Sequence, residues 1–191
     1  MQGVSSLRYV GYVGYSYSMN PLASRRIGAY LLDATSYLGI AAATIPFGLL
    51  AVRTELGKSQ GFVLTASAVP VAIALGYATH AEARGGTWGK RRFNLRVNRV
   101  GGGPVSKGSA LVRNLVKFAI PWQLGHTVAI SAAFGRFHRP DPTLFGITIV
   151  TYAVIGAGIW GILRSSGVTL HDMIASTRVV DATTKTRSPT D

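Results

Sequence analysis

The 191-residue sequence contains no cysteine, so disulfides, cysteine metal ligands and thiol nucleophiles are excluded. It is also short of charge. Charged residues make up 14% of the chain, against about 25% in ordinary soluble domains, while hydrophobic residues reach 48% and the mean hydropathy is +0.28. No catalytic constellation is visible either: there is no Ser-His-Asp set, no paired carboxylates, and no metal-ligand spacing among His80, His126, His138 and His171. Gly89-Lys90 is followed by Arg91 rather than Ser or Thr, and Lys107 precedes Gly108, so neither glycine-rich stretch is a phosphate loop. An enzyme is therefore not expected, nor a metal, nor a cofactor.

The missing charge is unevenly distributed. Between Arg26 and Arg53 the single ionisable acid or base is Asp33; Gly61 to Thr79, Phe118 to Gly135 and Pro142 to Leu163 carry no Lys, Arg, Asp or Glu. About 20 apolar residues cross the roughly 30 Å hydrocarbon core of a bilayer. The expected fold is therefore an all-α membrane protein, a bundle of four transmembrane helices over about 27–52, 61–80, 118–135 and 142–163. If both termini are cytoplasmic, three basic residues precede the first span. Nine more run from Arg84 to Lys117 and four follow the last span, leaving four outside (Arg53, Lys58, Arg136, Arg139). That is 16 against 4 in the sense of the positive-inside rule, and it places the chain in the cytoplasmic (inner) membrane. The same rule accounts for the formal charge of +13. A nucleic-acid partner is not needed to explain it.

Met1 to Leu22, with Tyr9, Tyr12, Tyr15 and Tyr17 among glycines and serines, is expected as a flexible tail, and residues 181–191 as a second. In the long loop, Phe93 to Val97 alternates like a half-exposed strand, Gly101-Gly102-Gly103-Pro104 forces a turn, and Ser106 starts a helix by capping it. That helix puts Ser109, Arg113 and Lys117 on one polar stripe and reads as an amphipathic interfacial segment. Thr177 to Val180 is expected to pair with Phe93 to Val97 in a small cytoplasmic β element. The basic loop Arg84–Lys117 is the expected contact for anionic lipid headgroups. Three stripes of small residues (Ala68, Ala72, Gly76; Gly125, Ala129, Ala133; Ala153, Ala157, Gly161) are expected to pack the bundle, with a homo-oligomer seam as the alternative.

Asp33 is the most informative residue. A carboxylate at membrane depth costs about 2.5–3.5 kcal/mol by insertion scales, so something pairs with it or uses it. Arg26, two helical turns earlier, lies on the same face, and Tyr30 and Tyr37 flank Asp33 at hydrogen-bonding positions. Two readings stand: an ion- or proton-binding carboxylate assisted by Arg26 and Tyr30, or a polar clasp fixing helix packing. Asp172, beyond the last span, is expected as a solvated charge within reach of Lys90, Arg91 or Arg92. His126 is expected as a hydrogen-bonded interior residue.

Arg25-Arg26-Ile27-Gly28-Ala29-Tyr30-Leu31-Leu32-Asp33 resembles the opening signature of the RDD family of bacterial membrane proteins. Gly86-Thr87-Trp88-Gly89-Lys90-Arg91 and Leu95-Arg96-Val97 resemble its second segment, with Trp88 where many relatives carry proline. Gly102-Gly103-Pro104 and Arg113 fit its next stretch, and Leu170-His171-Asp172 with Thr177-Arg178-Val179-Val180 its close. The resemblance covers residues 23 to 180 and places the family's Arg on Arg26 (or Arg25) and its two Asp on Asp33 and Asp172. It implies a transport role, sodium–proton exchange being proposed for some members; the alternative is an accessory or scaffold subunit with a partner in a membrane complex.

Overall fold

The computed structural model describes residues 20–138 and 140–184; the tyrosine-rich segment and the last seven residues lie outside this range. Helix α1 (Ala23–Ala51) is followed by a 3-10 turn at Glu55–Lys58, then α2 (Gln60–Ala66) and α3 (Ala68–Ala83). The break between α2 and α3 has a local cause. Pro70 has no N–H to give the Ala66 carbonyl, and its ring crowds that carbonyl. Next come α4 (Trp88–Arg92), β1 (Leu95–Arg99) and α5 (Lys107–Asn114), the last capped by Ser106, whose hydroxyl accepts from the Ser109 N–H at 3.1 Å. A π-turn over Leu115–Ala119 leads into α6 (Ile120–Ala133). The helix register slips here because Pro121 cannot donate to the carbonyl of Lys117, and the Ile120 N–H bonds Leu115 instead. A 3-10 turn at Arg136–His138, α7 (Pro142–Leu163), α8 (Leu170–Ile174) and β2 (Thr177–Asp181) complete the chain.

Among the described residues, three stretches are long and apolar enough to cross a membrane: α1, Gln60–Arg92 and α7. Helix α6 has 14 residues, a rise of about 21 Å, and is not one of these three. Large apolar side chains such as Leu31, Phe47, Phe145, Tyr152 and Trp160 are each more than 60% exposed, as expected where the surroundings are lipid rather than water.

Strands β1 and β2 pair antiparallel, with Leu95 opposite Asp181 and Arg99 opposite Thr177. The pairing matches the sequence expectation, shifted about two residues along β1. Leu95 and Val97 turn inward and Val97 packs with Val105 and Ala110, so α5 sits against the ribbon. The turn between β1 and α5 relies on Gly102 and Gly103, at φ +91° and +78°, where a side chain would be strained.

Two expectations about packing are corrected. Ala68, Ala72 and Gly76 face outward; the buried face of α3 is Val71, Ala74, Ala78, Ala81 and Glu82. Of the other two stripes only Gly161 is buried, lying against Val168 and Thr169, where a β-carbon would come within 2.7 Å of the Thr169 Cα. The second correction concerns α5. Its polar stripe faces the protein and not headgroups: Arg113 is fully buried, while Lys107, Leu111 and Val112 are exposed.

Candidate functional site

Charged side chains gather where α1 begins, α3 ends, and α4, α5 and α8 pack together. Asp33, Glu82 and Asp172 are at most 1% exposed, and Arg26, Lys90 and Arg113 at most 3%. Such burial is tolerated when every ion is paired and hydrogen-bonded, and here each carboxylate oxygen has a donor.

Asp33 is held by α4 and the turn before it. The Thr87 hydroxyl donates to Oδ2 at 2.6 Å and the Gly89 N–H to Oδ1 at 2.8 Å, with Lys90 Nζ 3.8 Å from Oδ2. In effect a side chain of α1 caps the first turn of α4. Glycine is required at 89 because a β-carbon there would run into the Ala29 carbonyl and Asp33. The same closeness holds at Gly28, where a β-carbon would meet the Phe93 ring.

Glu82 is the hub. Its Oε1 accepts from Arg113 Nη1 at 2.6 Å, Lys90 Nζ at 2.7 Å and Lys117 Nζ at 3.3 Å, and its Oε2 accepts from Asn114 at 3.1 Å. Asp172 is the third acid. Arg113 Nε donates to Oδ1 at 2.9 Å and Arg26 Nη2 to Oδ2 at 3.0 Å; the Thr169 hydroxyl also donates to Oδ2 at 2.7 Å, and the Thr169 N–H reaches it at 3.4 Å as part of a capping box on α8. Burial alone would raise the Asp172 pKa, but the Arg113 and Arg26 guanidiniums, with the Thr169 hydrogen bond, outweigh it and hold the carboxyl below the usual range. Burial pushes His171 down to about 2, with Arg113 adding to the effect, so it is neutral. Its Nε2 lies 3.3 Å from the Tyr30 hydroxyl. A separate tie fixes the ribbon: Arg25 donates to the Phe93 and Asn94 carbonyls and pairs with Asp181 at 2.5 Å.

Sequence reasoning named several members of this cluster and mispaired them. Arg26 does not reach for Asp33; it spans to Asp172 and to the Gly167 carbonyl. Tyr30 meets His171, and Tyr37 stacks on Phe118 with ring centroids 4.7 Å apart. Asp172 is a buried hub and not a solvated charge, and its partners are Arg26 and Arg113 instead of Lys90, Arg91 or Arg92. Of that basic triplet Lys90 alone turns inward, to Glu82; Arg91 and Arg92 are exposed. Glu82 was missed. Its signal was scarcity: it is the single acid between Glu55 and Asp141, set beside the nine cations of Arg84 to Lys117.

Further along the helices the polar groups thin out. Trp122 donates to His126 at 2.9 Å, Gln123 to Ser67 at 3.1 Å and Gln60 to Ser131 at 2.9 Å. The Tyr37 hydroxyl, Thr79 Oγ1, Gln123 Oε1 and His126 Nδ1 are buried without a partner.

Apolar helices long enough to span a bilayer, closed at one end by a buried lattice of ions, define a multi-pass membrane protein. The RDD family model matches residues 20–176, and the chain belongs to that family. No curated protein and no solved structure matches it.

Proposed function

We propose that this chain is a small cation or proton exchanger of a bacterial inner membrane, with the buried carboxylate–cation lattice as its exchange site. The single observation behind this reading is the lattice itself. Three acids and four bases lie together at the mouth of apolar helices, and ionisable groups at such depth ordinarily mark ion or proton pathways. The unpartnered atoms of Tyr37, Thr79, Gln123 and His126 extend polarity from the lattice into the bundle. In this reading four spans cross the membrane, the fourth formed by the π-turn plus α6, and both termini are cytoplasmic, as the 16-to-4 distribution of basic residues favours. The protein is not an enzyme. Its basic loop lies against anionic headgroups. Asp33 is the residue to test, because asparagine keeps its shape: its Oδ1 still accepts from the Gly89 N–H, and its NH2, standing where Oδ2 was, donates to the Thr87 hydroxyl oxygen. Loss of flux in Asp33→Asn with folding intact is the expected result; normal flux in that variant would remove Asp33 from the mechanism.

A second reading, an accessory or scaffold subunit in a membrane complex or homo-oligomer, draws on a specific feature. All six carboxylate oxygens of Asp33, Glu82 and Asp172 already accept hydrogen bonds from the protein, as a permanent clasp would arrange. Isolation from native membranes as a lone species would count against it.

A further inference from the structure

The lattice does not balance. Arg26, Lys90, Arg113 and Lys117 face three acids, Asp33, Glu82 and Asp172, and His171 is neutral. One cation is in surplus, and a surplus ion away from water is costly unless a counter-charge reaches it. Geometry marks Lys117 as that ion. It shares Glu82 Oε1 with two closer donors, standing 3.3 Å away against 2.6 and 2.7 Å. It also sits within the π-turn, a distortion that recurs at functional sites.

Lys117 opens onto a groove of about 160 Å³ between the π-turn and α7. The floor is polar: Lys117, Tyr30 and His171, with Lys117 Nζ 5.5 Å from the Tyr30 ring centre. The wall is apolar: Val154, Ile155, Gly158 and Ile159 of α7, of which Ile155 and Ile159 are exposed to the lipid side. A cationic floor under an apolar wall facing lipid is complementary to one kind of molecule, an anionic amphiphile.

We propose that this groove seats one anionic phospholipid, its phosphate on Lys117, Tyr30 and His171 and its acyl chain along α7. The charged and titratable groups facing Lys117 are Tyr30 and Asp33 from α1, Glu82 from α3, Lys90 from α4, Arg113 from α5 and His171 from α8. The groove residues of α7 carry no charge. A phosphate there supplies the negative charge that Lys117 lacks. This site stands whether or not the protein exchanges ions.

The test uses the full chain in detergent, titrated with phosphatidylglycerol, with zwitterionic phosphatidylcholine, and with inorganic phosphate alone, bound species being counted by native mass spectrometry. One phosphatidylglycerol per chain is expected, bound about tenfold more tightly than phosphatidylcholine, as a charge-assisted contact gives. Lys117→Met removes the preference. Gly158→Leu fills the groove from a position where an added β-carbon has nothing within 4 Å, so it folds and also loses the bound lipid. Equal affinity for the two lipids overturns the proposal, as does undiminished selectivity in folded Gly158→Leu. Displacement of the lipid by phosphate alone overturns it in favour of a free-anion site.

Discussion

The two ends of this molecule are built on opposite principles. At one end, short elements from five parts of the chain are locked by buried ions: α1, α3, α4, α5 and α8 all contribute a side chain to Glu82, Asp33 or Asp172, or are contacted by one. At the other end, α1 has no buried residue beyond Asp33, and a groove of about 630 Å³, lined by Ile45, Phe47, Phe62 and Ile73, separates it from α2 and α3. In lipid, apolar burial between helices offers little gain, so a membrane bundle is fastened where polar groups meet. The long hydrophobic helices therefore place the protein in the bilayer, while the polar residues hold it together.

The comparison is broken most severely at Glu82. Glu82→Ala leaves Lys90, Arg113 and Lys117 without their shared acceptor, and removing one partner of a buried ion pair costs about 3–5 kcal/mol. The variant should fail to give a monodisperse folded species in detergent. Leu50→Ala, at a position 63% exposed on the far half of α1, should stay within about 0.5 kcal/mol of wild type. Equal effects from the two would erase the distinction between the ends. A smaller loss is expected from Gly89→Ala, which forces a methyl into the Ala29 carbonyl and should cost about 1–3 kcal/mol, in the range of overpacking; thermal melting reads it directly.

The sequence made the apolar architecture legible and left the wiring obscure, for a physical reason. Span α7 matches its expected bounds, and α1 begins four residues earlier than the apolar run, because Arg26 is helical and buried. The Ser106 cap, the glycine turn and the β1–β2 pairing all follow from local chemistry and were readable. Arg26–Asp172 and Arg113–Glu82 are 146 and 31 residues apart, and no periodicity encodes such a pairing. Arg26 and Asp33 share a helix face, so the sequence suggested that they met; the cross-chain partners Asp172, Thr87 and Gly89 won instead. Ser109, Arg113 and Lys117 were seen as a stripe, but a polar stripe beside lipid looks the same whether it faces headgroups or a buried acid.

The central claim is that the lattice exchanges ions as well as fastening helices. Sodium- and proton-dependent flux in proteoliposomes, wild type against Asp33→Asn, tests it most directly, with matched melting curves for the two proteins. The account predicts flux in the wild type and its loss in a variant that still melts as a folded species. A folded wild type that moves neither ion down an imposed gradient would contradict it and leave the lattice as a clasp.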